Sequence, residues 1–206
     1  MILETKPYYT HTFGSMGNTL ETARKTGFFR WFHMAESDRR PEEPGELVRF
    51  RPAGDKFHDL CFLDILMAPG GEFVRMELVV KRSFIDGPDS LFAQDLVNSF
   101  LHAALPDACQ SLLEDFISEI NTPAGDGQTP AFQVFKGRQD AWSKQTGWSR
   151  LHFANLSVAE VPSFVLNVGP NPEAPNAKPV ELARQTSPSL LRKLQIICGR
   201  RIQRPV

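Results

Sequence analysis

The sequence predicts an α+β domain: a mainly antiparallel sheet with two consecutive helices packed on one face, then a Pro-rich arm and a C-terminal helix. Three observations predict it. Strand-like and helix-like segments come in separate runs rather than in alternation, which disfavours a doubly wound parallel sheet. Residues 58–84 read as two apolar strands around Pro69-Gly70-Gly71, a hairpin signal. Residues 90–120 carry two apolar stripes at helical spacing.

Taken in order, the aromatic-rich "GFFRWFHM" (27–34) predicts a strand, and the charged, proline-broken "ESDRRPEEPGE" (36–46) a loop. "LVRFR" (47–51) alternates as a short strand. "HDLCFLDILMA" (58–68) is almost wholly apolar, as in a strand covered on both faces. "EFVRMELVVKRSF" (72–84) alternates, so Val74, Met76, Leu78 and Val80 should face the helices while Arg75, Glu77 and Lys81 face away. Asp89 or Ser90 caps a helix whose stripe is Phe92, Leu96, Val97, Phe100, Leu101 and Ala104. Pro106 ends it and opens a second, with Cys109, Leu112, Leu113, Phe116, Ile117 and Ile120 inward and Glu114, Asp115 and Glu119 outside. A loop at 122–131 leads to three strands, "FQVFK" (132–136), "SRLHFANL" (149–156) and "SFVLNV" (163–168). Four prolines within 169–179 predict an extended, PPII-like arm. Ser187-Pro188 starts a last helix with Leu190, Leu191, Leu194, Ile197 and Cys198 on its apolar side. The expected organisation is therefore a domain over 1–168 and an arm with a basic amphipathic helix over 169–206, docked on the same domain or on a second subunit.

Composition is that of an ordinary globular chain, 41% hydrophobic and 23% charged over 206 residues. The net charge of −1 hides an asymmetry. Residues 182–206 hold six basic residues and no acid, so the body carries 17 basic residues against 24 acidic ones. A body of that sign repels a phosphate backbone and argues against nucleic acid as the partner. Cys61, Cys109 and Cys198 are odd in number and widely spaced, neither a disulfide framework nor a zinc pattern. The first residues, with Glu4 and Lys6, do not read as a signal peptide, and no apolar run is long enough for a membrane span. These features predict a bacterial-type cytoplasmic protein with no transmembrane segment.

"FGSMGNTLETARKTG" (13–27) has the outline of the flavin-phosphate loop of flavodoxin-like proteins, but a phosphate loop is delivered by a buried parallel strand. Here the preceding residues are polar and include Pro7, and no βαβ succession follows. The sequence thus predicts a surface turn running into a short helix or strand, and no cofactor. His11, His33, His58, His102 and His152 form no metal-ligand pair. Asp64 is a lone carboxylate in an apolar strand, expected to point to a solvated strip or to Arg75 or Lys81 on the next strand. Trp142, Trp148 and Arg150 in "DAWSKQTGWSR" have the composition of interface anchors in a loop, and Arg192 and Lys193 belong to the basic tail. The functional expectation is a non-catalytic module that binds a protein partner or forms a homodimer. The alternative is a small enzyme or ligand-binding protein with a pocket between sheet and helices.

Overall fold

The computed structural model of the chain describes residues 7–105, 113–121, 127–175 and 177–180. Seven strands form one antiparallel sheet: β2 (Met34–Glu42), β3 (Gly45–Pro52), β4 (Cys61–Met67), β5 (Phe73–Lys81), β6 (Ala141–Gln145), β7 (Ser149–Val158) and β8 (Val161–Pro170). Their spatial order is β2-β3-β4-β5-β8-β7-β6. Two short strands, β1 (Tyr9–Thr10) and β9 (Lys178–Pro179), pair separately. The helices are α1 (Leu20–Arg24), α2 (Gly27–Trp31), α3 (Arg82–Ile85), α4 (Ser90–Ala104), α5 (Glu114–Ile120) and α6 (Pro130–Phe135). This is the α+β architecture with a mainly antiparallel sheet that the sequence predicts.

The helices share one face of the sheet because the strands present one apolar face to them. Val48 and Phe50 of β3, Leu63 and Ile65 of β4, Met76, Leu78 and Val80 of β5 and Phe164, Leu166 and Val168 of β8 enter a single core with the helical residues. Phe100 of α4 and Phe116 of α5 lie in it, fully buried. Ten of its largest buried side chains are phenylalanines, whose rings meet mostly edge to face, as between Phe28 and Phe100 at 5.6 Å.

The hairpin β4–β5 forms as predicted, with Leu63 opposite Leu78. One residue departs from its expected face. A register shift between Leu66 and Met67 leaves Val74 as an extra residue on β5. Val74 therefore turns to the other side, beside Leu47, Leu66 and Ala68.

Three other expectations are corrected. Residues 27–31 are helical rather than extended, because Thr26 caps the segment and the Phe28 and Phe32 rings meet one turn apart at 5.5 Å. The same holds for 130–135: the Thr129 hydroxyl accepts from the Phe132 N–H and Pro130 occupies the first turn. Both runs are rich in β-formers, but their start signals and core contacts decide. Conversely, the charged stretch expected as a loop is β2, an outer strand whose Pro41 is tolerated because an edge N–H needs no partner. Arg39 links Glu36 of the same strand to Glu46 of β3 at 2.8 and 2.7 Å.

The loop at Gly14 is a 3₁₀ turn leading to α1, which Thr19 caps. Gly14 has a positive φ and lies too close to the carbonyls of Ala103 and Leu105 for any Cβ. The described part of the Pro-rich segment folds back on the domain rather than reaching outward. Asn171 is buried and joins the β6–β7 turn through the Thr146 carbonyl at 2.8 Å, and β9 pairs with β1. The remainder of the arm, with the C-terminal helix, lies outside the described residues, as does the start of the second predicted helix.

Two measurements check this packing. Leu78→Ala should cost about 2–5 kcal/mol in chemical denaturation; a loss below about 0.5 kcal/mol would place Leu78 on the wrong face. Burial pushes the Cys61 thiol from 9.0 up to about 12. The folded protein then keeps a proton that the unfolded chain releases, so stability should fall as pH rises from about 9 towards 12. In a Cys109→Ser/Cys198→Ser variant, Cys61 should resist a thiol reagent at pH 8 until the protein is unfolded.

Candidate binding site on the open face of the sheet

Among the described residues, the face away from the helices is covered at one end only, where Tyr8 and Val180 of the β1–β9 ribbon pack on Leu47, Leu66, Ala68 and Val74. Strand alternation and register place one side chain of each strand in a row across the rest of this face. The row runs Asp38, Arg49, Asp64, Glu77, Asn167, His152 and Ser143, each directly opposite the next.

Its members satisfy one another. Arg49 donates to both oxygens of Asp64 at 2.7 Å, a bidentate pair. Asn167 Nδ2 donates to Glu77 Oε2 at 3.0 Å, and Ser143 Oγ lies 2.7 Å from His152 Nδ1. Asp64 is only 6% exposed. Its partner is Arg49 of β3 rather than Arg75 or Lys81 of β5, because β5 presents Glu77 at that row. Hydrogen bonding to Asp64 holds the Arg49 guanidinium above its ordinary pKa against the opposing effect of burial.

The adjacent row, Arg51, Phe62, Val79, Val165 and Ala154, is apolar apart from its first member. The Arg49 and Arg51 guanidinium carbons lie 3.9 and 5.2 Å from the centre of the Phe62 ring. Between this row and the β7–β8 turn lies a cleft of about 210 Å³, lined among others by Arg51, Phe62, Val79, Lys81, Val161 and Ser163. Ala159 and Glu160, both at positive φ, make that two-residue turn, and Ala159 lines the cleft. Arg51 donates to the His58 carbonyl at 2.8 Å, and the nearest carboxylate, Asp59, is 3.8 Å away and largely in solvent. Lys81 forms no ion pair among the described residues. The cleft therefore offers positive charge over an aromatic floor. Its volume is below the roughly 300–1,000 Å³ of small-molecule sites and is of the size of a side chain.

Other chemistry finds less support. Ser143 and His152 are both exposed at the sheet edge, where water competes with any developing charge. Among the described residues no three His, Cys, Asp or Glu side chains are placed to hold a metal, and no helix is long and apolar enough to cross a membrane. The space between sheet and helices is filled by the phenylalanine core.

The residues singled out from sequence do not converge. Trp142 lies in β6, not in a loop, and packs edge-on to Phe153 on the helix side at 5.2 Å. Arg150 is on the opposite, open face, bonded to Gln145 at 3.3 Å. Trp148 sits in the β6–β7 turn and is 37% exposed. Arg192 and Lys193 lie outside the described residues. The cleft residues Arg51, Phe62 and Lys81 were missed, although the alternation of "LVRFR" and "RMELVVK" already put the basic side chains on one face.

No known protein family, curated protein or solved structure matches this chain.

Asp64→Ala would leave the half-buried Arg49 guanidinium without its carboxylate. It should cost about 1–3 kcal/mol in urea denaturation at pH 7. An unchanged midpoint would mean that water, not Asp64, satisfies Arg49.

Proposed function

We propose that the protein is a non-catalytic, cytoplasmic binding module that holds a protein partner on the open face of its sheet. An acidic residue of the partner enters the cleft between Arg51 and Lys81, and an apolar neighbour lies on Phe62 and Val79. The observation that carries this reading is the cleft itself. Among the described residues, it places a lysine with no ion pair and an arginine with a weak one over an aromatic ring, on the face away from the described helices. Charge-assisted bonds to a carboxylate would supply orientation, and the apolar row would supply buried area. The odd number and wide separation of the cysteines support a reducing compartment.

Selection from a random peptide library on the purified chain tests the reading. The selected peptides should share an acidic residue beside an apolar one, and on binding should protect amides of β3, β4, β5 and β8 from hydrogen exchange. Lys81→Ala and Arg51→Ala should each weaken them by roughly tenfold or more. Peptides without acid, or protection confined to the groove between α2 and α4 beside the exposed Trp31, would contradict it.

A further inference from the structure

The geometry points to the outer edge of β6 as a pairing edge for a second copy of this chain, joined antiparallel about Ser143. The argument starts from the ladder. β6 is the last strand of the sheet, with Ala141 opposite Ala154 and Gln145 opposite Arg150. Just beyond its two ends, the Asn155 N–H donates to the Asp140 carbonyl at 2.7 Å and the Thr146 N–H to the Ser149 carbonyl at 2.8 Å. In an antiparallel pair, bonded and non-bonded positions alternate. Trp142 and Lys144 therefore turn their backbone groups towards β7, and Ala141, Ser143 and Gln145 turn theirs outward. Gln139 Nε2 donates to the Ala141 carbonyl at 2.8 Å. The outward N–H and C=O of Ser143 and Gln145 make no hydrogen bond among the described residues.

The two edges of the sheet differ in how they are protected. β2 carries charge along its length, a register irregularity at Ser37 and Pro41, devices that block strand addition. β6, "AWSKQ", is short and regular, with one lysine and no proline.

A second copy fits this edge because the strand complements itself. With Ser143 opposite Ser143, outward-facing residues meet outward-facing residues, as the ladder requires. Ala141 lies opposite Gln145, and Trp142 opposite Lys144, twice over. Each ammonium then sits beside an indole on the helix side, a favourable cation–π arrangement. The contact is isologous and closes, so it stops at a dimer. Both open faces end on the same side of a fourteen-stranded sheet, which would present two clefts to one partner. A five-residue strand pair buries little area, so the dimer should be reversible.

The test uses the full chain, independently of the cleft. Sedimentation equilibrium across a concentration series should show a reversible transition from 23.2 kDa to twice that mass. Ser143→Pro, which removes an outward donor and leaves the β6–β7 bonds in place, should weaken association by tenfold or more, whereas Lys81→Ala should not alter it. If Ser143→Pro fails to fold by circular dichroism, disulfide trapping decides. In a Cys109→Ser/Cys198→Ser background, Ser143→Cys should give a covalent dimer on mild oxidation, and Ser37→Cys on the opposite edge should not. A chain that stays monomeric at every concentration, a dimer untouched by Ser143→Pro, or equal trapping at Ser37 and Ser143 would overturn the inference.

Discussion

Everything in this fold depends on one face of a seven-stranded sheet being sealed by aromatic packing. The strands give Val48, Phe50, Leu63, Leu78 and Leu166 to that side, and the helices answer with Phe28, Phe84, Phe100, Phe116, Phe132 and Phe135. Burying one such side chain contributes on the order of 1.5–3 kcal/mol, so this layer supplies most of the driving force. Because strand side chains alternate, sealing one face fixes the identity of the other. The core and the polar open face are thus two outcomes of the same register.

The open face solves a problem that this creates. β4 sits mid-sheet and is apolar on both sides except at Asp64, which burial would penalise as a lone charge. Arg49 on the next strand meets it with a matched fork and rests its own guanidinium on Phe62. Glu77 and Asn167 continue the pattern, so the centre of the face is polar but internally satisfied. Unspent charge is left at the margin, where Lys81 and Arg51 border the cleft. Among the described residues, unpaired backbone groups are left at the β6 edge, where Ser143 and Gln145 face outward. Both features lie where the sheet ends.

Much of this was legible in the sequence where the pattern was long and regular. The β4–β5 hairpin and α4 could be read because their apolar periods run for several turns or pairs, and the open-side positions of Arg75, Glu77 and Lys81 followed from the same alternation. Short aromatic runs misled: α2 and α6 have the composition of strands and are helical because of Thr26, Thr129 and Pro130. β2 has the composition of a loop because an edge strand needs no apolar face. The site was half legible. Which residues share a face follows from period two, but the pairing of Glu77 with Asn167, ninety positions away, depends on β5 lying beside β8, and no local pattern encodes that. Val74 was misplaced for the same reason, since a bulge is a property of two strands together.

The division of labour between the two faces is tested most directly at adjacent residues of β4. Leu63 points into the sealed side and Phe62 onto the open one, beneath Arg49 and Arg51. The measurement is the denaturant midpoint of Leu63→Ala against that of Phe62→Ala. Leu63→Ala should lose about 2–5 kcal/mol, and Phe62→Ala, though it deletes the larger side chain, less than about 1.5 kcal/mol. Equal losses, or a larger one at Phe62, would mean that the open face is a second core and would contradict the account.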